Sequence, residues 1–181
     1  SMRKHYAKRR SIDAPAMAAS QTLVKQLLQD LPFALTSAQQ KVIKEISHDL
    51  TQPHPMQRLL QGDVGSGKTI VACLAALQAI EHGWQVALMA PTEILAEQHY
   101  KKFATWLAPL NINIAWLTGS QHKKDREAAQ QAIASGQAQL AVGTHALFQD
   151  AVQFNKLGLA IIDEQHRFGV QQRLALRKKG Q

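Results

Sequence analysis

The chain has 181 residues, 45% of them hydrophobic, which is enough to form one domain with a substantial core. Its 19% charged residues, six prolines and ten glycines exclude a disordered or fibrous chain. A single cysteine excludes a disulfide framework, and the longest strongly apolar stretch, residues 70–80, is too short to cross a bilayer. We therefore expect a globular protein of the cytoplasm that has no membrane partner.

The net charge of +8 favours a polyanionic partner, but the excess positive charge lies at the two ends of the sequence. Residues 1–10 and residues 167–181 each carry five Lys or Arg and no acid, whereas the residues between them carry eleven bases and thirteen acids. A solvated tail explains the basic ends as well as a DNA contact does. We expect that both ends were cut from a longer chain and that Ser1-Met2 is a cloning remnant.

Residues 1–19 are predicted to be this remnant and a linker, and residues 20–181 one domain. Apolar residues recur at helical spacing after Ser20, a possible N-cap, and stop at Pro32. Further stretches with helical character follow along the chain. The predicted helices are 23–31, 36–50, 68–82, 93–107 and 123–135.

Short apolar runs separate the later helices, and a loop is predicted over residues 51–55. Gly83 and Gly136 lie where the end of a helix requires a positive φ. Because strands alternate with helices, the sequence predicts βαβ units, and so the α/β class with a doubly wound parallel sheet. The predicted strands are 57–61, 85–90, 112–117, 139–142 and 157–162.

A glycine-rich loop lies between the first predicted strand and the helix that follows it. Its sequence, Gly62-Asp-Val-Gly-Ser-Gly-Lys-Thr69, has the G-x-x-x-x-G-K-T spacing of a phosphate loop. Glycines let consecutive backbone N–H groups turn towards an anion at a helix N-terminus. Lys68 is predicted to bind the β- and γ-phosphates, and the Thr69 hydroxyl a Mg²⁺ ion. The predicted nucleotide-binding residues of the loop are Gly62, Asp63, Val64, Gly65, Ser66, Gly67, Lys68 and Thr69.

The last predicted strand ends in two adjacent carboxylates, those of Asp163 and Glu164. Parallel α/β sheets bind ligands at the carboxyl ends of their strands. Asp163 is predicted to hold Mg²⁺, and Glu164 to orient and deprotonate an attacking water. The alternative is a strand that ends in a solvated acidic turn. With Lys68 the two acids form the predicted catalytic set, and a catalytic glutamate favours a nucleoside triphosphate hydrolase over a kinase.

Two roles are open for Gln39. With Thr36 it has the spacing of a capping box, in which its side chain would satisfy the first N–H groups of a helix. Its amide would serve equally well as a contact to the edge of an adenine. The spacing alone does not decide between the two roles.

The stretch that begins with Asp163 and Glu164 resembles a known protein family. The run DEQHRFGV, Asp163–Val170, followed by Gln-Gln-Arg173, resembles motif II of the RecG family of superfamily 2 ATP-dependent DNA helicases. The resemblance covers roughly residues 20–176. Transcription-repair coupling translocases also have Arg-Phe-Gly after the acidic pair but usually lack this Gln-His. The other stretches that resemble the family, in the same order, are 31–40, 61–69, 90–99, 117–119 and 142–148.

This resemblance implies the first of two RecA-like motor domains, ending before motif III, with ATP and Mg²⁺ as cofactors. It implies that Phe33 and Gln39 contact the nucleotide, and that Gln165 and His166 link the γ-phosphate to the DNA-facing side. Two strand ends are implied to grip DNA phosphates without reading sequence. Thr92 also fits a helix N-cap, and both roles are compatible. The implied DNA-binding residues are Pro91, Thr92, Gly143, Thr144 and His145.

For the whole protein, the resemblance implies an ATP-driven translocase that unwinds and branch-migrates forks and Holliday junctions in recombination and repair. Its implied partners are branched double-stranded DNA, and a second RecA-like domain and a wedge domain of the same chain. Two alternatives stay open: the ATPase domain of a transcription-repair coupling translocase, or a nucleotide-binding module without catalysis of its own. Because the arginine finger belongs to the second RecA-like domain, we expect this chain alone to be nearly inactive.

Overall fold

Eight strands and five helices make up the part of the chain that this computed structural model describes, residues 3–6, 13–14, 22–51, 54–55, 58–62 and 68–163. The strands are β1 (Arg3–Tyr6), β2 (Asp13–Ala14), β3 (His54–Pro55), β4 (Arg58–Gly62), β5 (Gln85–Met89), β6 (Ile114–Leu117), β7 (Leu140–Gly143) and β8 (Leu157–Asp163). The helices are α1 (Leu23–Asp30), α2 (Ser37–Leu50), α3 (Thr69–Glu81), α4 (Glu93–Leu107) and α5 (Lys123–Ser135). Two 3₁₀ turns cover Ala108–Leu110 and His145–Phe148.

The central sheet has six strands in the order β1-β4-β8-β5-β7-β6. The strands from β4 to β6 in this order are parallel to their neighbours, and β1 is antiparallel to β4 at one edge. Because the parallel strands point the same way, their carboxyl ends lie at one edge of the sheet. The predicted doubly wound α/β sheet is confirmed, with one antiparallel strand added.

Side chains alternate across the sheet, so the strands contribute to two separate cores. On one face, Leu88 of β5 and Ile161 of β8 belong to the core that includes α1 to α4. On the other face, Ile162 of β8 packs in a core with Ile133 of α5 and Leu147 of the second 3₁₀ turn. The alternation places the next side chain, that of Asp163, on the same face as Ile161, towards α3 and α4.

Helix α3 is buried on almost all sides. Every residue from Thr69 to Ile80 is buried, because the sheet covers one side of the helix and α1 and α2 cover the other. Its almost entirely apolar sequence is typical of a helix inside a domain. The amide of Gln78 donates from Nε2 to the carbonyl oxygen of Ser47 in α2 at 3.4 Å. Among the helices in the described ranges, none combines the length and the hydropathy that crossing a bilayer demands.

The predicted elements agree with the structure to within two residues at each end. Helices α4 and α5 have the predicted bounds, and Gly83 and Gly136 have φ values of 87° and 83°, as expected at helix ends. Helix α1 ends before Pro32, as predicted. Its N-cap is Thr22, which makes no side-chain capping bond, whereas the predicted cap Ser20 lies outside the described residues.

Two segments that were predicted to lack secondary structure contain strands. Segment 1–19 includes β1, which pairs with β4, and β2, which pairs with β3 inside the predicted loop 51–55. The prediction was wrong because these strands have no alternating apolar pattern that would identify them. Their pairing is between backbones that are distant in sequence, and β1 covers an edge that β4 would otherwise expose.

Cys73 offers a test of the burial of α3, since it is the only cysteine in the sequence. It is fully buried, and this burial raises the pKa of its thiol far above the ordinary value. Because the thiolate is the reactive form, we expect a chromogenic disulfide reagent to label the native chain at least about a hundredfold more slowly than the denatured chain. The absorbance time course measures both rates, with Cys73→Ala as the blank. Fast labelling under native conditions would contradict the placement of α3.

Candidate functional site

The carboxyl ends of β4 and β8 lie side by side, since Gly62 pairs with Asp163 in the register of the two strands. Asp163 is 0% exposed although it is an acid. Beyond β4 the chain reaches Lys68, the N-cap of α3, and Thr69, the first residue of that helix, which is also buried. The structure therefore brings the predicted groups of Lys68, Thr69 and Asp163 to the edge of the sheet where parallel strands end.

A histidine outside the predicted site residues is hydrogen-bonded to Asp163. The Nε2 atom of His99, in α4, lies 2.8 Å from Oδ2 of Asp163. Because a carboxylate oxygen accepts, Nε2 carries the hydrogen and donates it. His99 interrupts a buried stripe of α4 that otherwise consists of Ala96, Phe103 and Leu107. A polar residue at an apolar position of a helical stripe is the sequence signal that would have identified it.

The oxygen donors at this edge fit Mg²⁺. In nucleotide sites this ion takes oxygen ligands, usually one or two protein groups together with waters and phosphates. The hydroxyl of Thr69 and the carboxylate of Asp163 are groups of this kind. In the ranges that the structure describes, no three His, Cys, Asp or Glu side chains form a cluster that would hold a metal ion. The residues thus suit an ion that arrives with a nucleotide, not a closed protein metal site.

Most of the phosphate loop and the residues after Asp163 lie outside the described ranges. The roles assigned to them from the sequence stay predictions. These residues are Asp63, Val64, Gly65, Ser66 and Gly67 of the loop, and Glu164, Gln165 and His166 after the strand.

The capping box predicted for the start of α2 is confirmed. The N–H of Thr36 donates to Oε1 of Gln39 at 2.9 Å, and the N–H of Gln39 donates to Oγ1 of Thr36 at 3.1 Å. These two bonds fix the side chain of Gln39 at the N-terminus of α2. Contact of Gln39 with adenine stays a prediction.

Phe33 is 43% exposed and packs edge-on against Trp106, with the ring centroids 6.3 Å apart. Trp106 follows His99 by seven residues on α4, a rise of about 10 Å along the helix. Phe33 therefore packs on the part of α4 that lies about two turns beyond His99, the residue that contacts Asp163. A nucleotide spans a comparable distance between its base and its last phosphate, so the predicted contact of Phe33 would be to the base.

The two strand ends predicted to face DNA adjoin one another. The N–H of Ala90 donates to the carbonyl oxygen of Gly143 at 2.9 Å and so joins the segments after β5 and β7. Thr92 caps α4, because its Oγ1 accepts from the N–H of Leu95 at 3.2 Å, which confirms the predicted N-cap. Thr92 is exposed and Pro91 is half-buried. A contact between these residues and DNA stays a prediction.

The two residues that follow β7 differ in their exposure to solvent. Thr144 is buried, and its Oγ1 accepts from the N–H of Ala146 at 3.4 Å, so this side chain shapes the turn. His145 is exposed at the start of the same turn. Of these two predicted DNA contacts, His145 has the side chain that is accessible from solvent.

Gly143 lets the backbone of this turn approach β6 closely. The N–H of Thr144 donates to the carbonyl oxygen of Leu117 at 3.3 Å. A Cβ atom at Gly143 would overlap that same carbonyl oxygen, and it would also lie 3.3 Å from the side chain of Leu147. Only glycine therefore fits this position without a shift of the backbone.

Residues 36–179 match the family model of the DEAD/DEAH box helicases. This range starts at the capping box of α2 and includes the phosphate loop, His99 and Asp163. The chain belongs to the DEAD/DEAH box helicase family. The sheet edge where Lys68 and Asp163 lie is thus part of a helicase domain.

Curated relatives share the sequence over nearly the whole chain. It is 62% identical over 168 residues to the ATP-dependent DNA helicase RecG of Escherichia coli K12, which covers 93% of this chain and 24% of the relative. It is 48% identical over 179 residues to the ATP-dependent DNA helicase RecG of Synechocystis, which covers 99% of this chain and 22% of the relative. The resemblance to RecG is confirmed, and the chain spans about a quarter of the length of these relatives.

Solved structures support the RecA-like helicase fold. A structure of RecG bound to a three-way DNA junction matches with a TM-score of 0.75 and 44% identity, over 87% of this chain and 22% of that chain. A hypothetical ATP-dependent RNA helicase from Sulfolobus tokodaii matches with a TM-score of 0.56 over 88% of this chain and 54% of that chain. At 14% identity the second match shows the fold alone. The predicted RecA-like domain is confirmed.

The close approach at Gly143 can be tested by stability. Gly143→Ala should lower the free energy of unfolding by about 1–3 kcal/mol, since the added methyl group meets backbone that cannot move aside cheaply. Gly119→Ala is the matched control, because a Cβ there would meet nothing within 4 Å. Urea unfolding of the two variants and the parent chain measures both effects. Equal stability of the two variants would contradict the geometry at Gly143.

Proposed function

We propose that this chain is the ATP-binding first motor domain of a longer RecG-type DNA helicase that acts in the cytoplasm. The observation that carries the proposal is the pairing that sets the end of β4, before Lys68 and Thr69, beside the buried Asp163. The identity of 62% to RecG supports this type over a transcription-repair coupling translocase.

In the proposed site, Lys68 and the N-terminus of α3 bind the phosphates of ATP. The side chain of Lys68 supplies a point charge, and the first N–H groups of the helix supply donors and a partial positive charge. Thr69 and Asp163 would hold Mg²⁺, which neutralises charge on the β- and γ-phosphates. Their burial keeps these groups out of bulk water, where the same attractions would be weaker.

The remaining groups of the proposed ATP site come from residues before the phosphate loop and from residues after Asp163. We assign the base to Phe33, which is exposed, and to Gln39, which lies at the start of α2. Glu164 follows Asp163 directly. We propose that it orients the attacking water and takes a proton from this water. Gln165 and His166 would pass the state of the γ-phosphate to the DNA-facing side, as the resemblance in motif II suggests.

For DNA we assign the edge formed by Pro91 and Thr92 and by Gly143, Thr144 and His145. The exposed Thr92 hydroxyl and the N-terminus of α4 suit a phosphate group, which fixes the position of the duplex without reading its sequence. The match to RecG bound to a three-way junction supports branched DNA as the partner.

A second RecA-like domain and a wedge domain of the same chain would complete the helicase. Support for this comes from the length of the relatives, of which this chain covers 24% in the Escherichia coli protein. An arginine finger contributes on the order of 10³–10⁵ in rate in well-studied nucleotide hydrolases. Without the arginine finger, this chain alone would bind Mg-ATP weakly and hydrolyse it very slowly.

In the complete protein, Lys68→Ala should lower DNA-stimulated ATP hydrolysis by at least about a hundredfold, because the transferring phosphate loses its positive partner. Unwinding should disappear with it, while the affinity for a three-way junction stays the same. A coupled ATPase assay, a gel assay of unwinding and fluorescence anisotropy measure the three quantities.

The matched control for this prediction is Lys101→Ala. Lys101 is exposed on α4, pairs with Glu97 at 3.9 Å and is not among the residues assigned to ATP or DNA. It should leave hydrolysis, unwinding and junction binding unchanged. Full unwinding by the Lys68→Ala protein would show that the proposed function is wrong.

This chain alone should bind DNA weakly, and the affinity should fall steeply with salt. If the contacts neutralise two phosphates, raising the salt from about 50 to about 200 mM should weaken binding about tenfold. Anisotropy with two junctions of the same shape and different sequence measures the salt slope and the selectivity together. Sequence-selective binding that survives high salt would contradict a contact made to phosphates.

A further inference from the structure

The hydrogen bond between His99 and Asp163 joins two side chains that are both out of solvent. His99 is 4% exposed and Asp163 0% exposed, and Nε2 lies 2.8 Å from Oδ2. The two residues are 64 positions apart in sequence and come from α4 and from the end of β8. The contact therefore exists only in the folded domain, and it fixes one oxygen of a carboxylate proposed to hold Mg²⁺.

The position of His99 in α4 shows that packing alone does not require a histidine there. The residues that share its buried stripe are Ala96, Phe103 and Leu107, all apolar. Placing a polar ring in such a stripe costs free energy unless the ring is hydrogen-bonded. The bond to Asp163 satisfies Nε2 of the ring.

We propose that His99 is a positioning residue for the Mg²⁺ site of the proposed ATPase. By donating from Nε2 to Oδ2, it holds the carboxylate of Asp163 in one orientation towards the nucleotide. A carboxylate has about four acceptor positions, so one bond from His99 is compatible with metal ligation by the same group. Carboxylates that bind metals are commonly held by hydrogen bonds of this kind, and loss of the partner weakens metal binding. The inference rests on the proposed function.

The test is the Mg²⁺ dependence of nucleotide binding by the complete protein. Binding of a fluorescent, non-hydrolysable ATP analogue is followed while Mg²⁺ is titrated, and the midpoint is compared between variants. His99→Leu removes the donor and keeps an apolar side chain, whereas His99→Gln carries an amide N–H of similar reach. We expect the midpoint to rise on the order of tenfold for Leu and less than about threefold for Gln. Binding of the analogue in EDTA should be the same in all three proteins.

Phe103→Leu controls for loss of packing, because Phe103 is buried one turn further along the same stripe. It should lower the unfolding temperature without moving the Mg²⁺ midpoint. If the His99→Leu protein does not fold, His99→Asn replaces it, since its amide is too short to reach Asp163. It should raise the midpoint as Leu does.

Two results would overturn the inference. One is an unchanged midpoint in the variants that lack the donor, and the other is an equal shift in His99→Gln or Phe103→Leu. Both leave the proposed function standing if the parent protein binds the analogue in a Mg²⁺-dependent way and Lys68→Ala weakens that binding. A parent protein that does not bind the analogue at all would instead overturn the proposed function, and the role of His99 with it.

Discussion

The pairing of β4 with β8, in which Gly62 lies opposite Asp163, sets the position of the groups proposed to bind ATP. This register is strongly specified because both faces of β8 are buried in different cores. Ile161 packs with the helices α1 to α4, and Ile162 packs with α5 and the second 3₁₀ turn. A slip of one residue would exchange these two faces and turn the carboxylate away from α3 and α4. Core packing thus decides which side of the sheet has the acid.

The burial of α3 fixes the position of Lys68 and Thr69, the other half of the proposed ATP site. Lys68 and Thr69 lie at the start of a helix whose next residues, from Ile70 to Ile80, are all buried. Such a helix cannot rotate or shift without disturbing the packing of α1, α2 and the sheet. The first N–H groups of α3 are therefore held in place before any nucleotide arrives. Donors that are fixed in advance stabilise developing charge without a cost of reorganisation during the reaction.

Much of this arrangement follows from local sequence, and the exceptions share one physical reason. The bounds of α4 were predictable because the Thr92 cap and the apolar spacing agree, and the Thr36–Gln39 box was readable from four residues. β1 was missed because its strand character comes from pairing with β4, not from a pattern of its own. His99 was missed because its partner is 64 residues away and comes near only when the strands align. A pattern within one segment carries no information about such contacts.

Helix α4 carries both a local cap and a long-range contact. Its N-terminus carries Thr92, at the edge proposed to bind DNA, and two turns later it carries His99, bound to Asp163. The separation of seven residues is about 10 Å along a continuous helix. The buried stripe of this helix packs it against the sheet. Helix α4 therefore contains a residue of the edge proposed to bind DNA and the partner of the carboxylate proposed to hold Mg²⁺, which is the first residue of motif II.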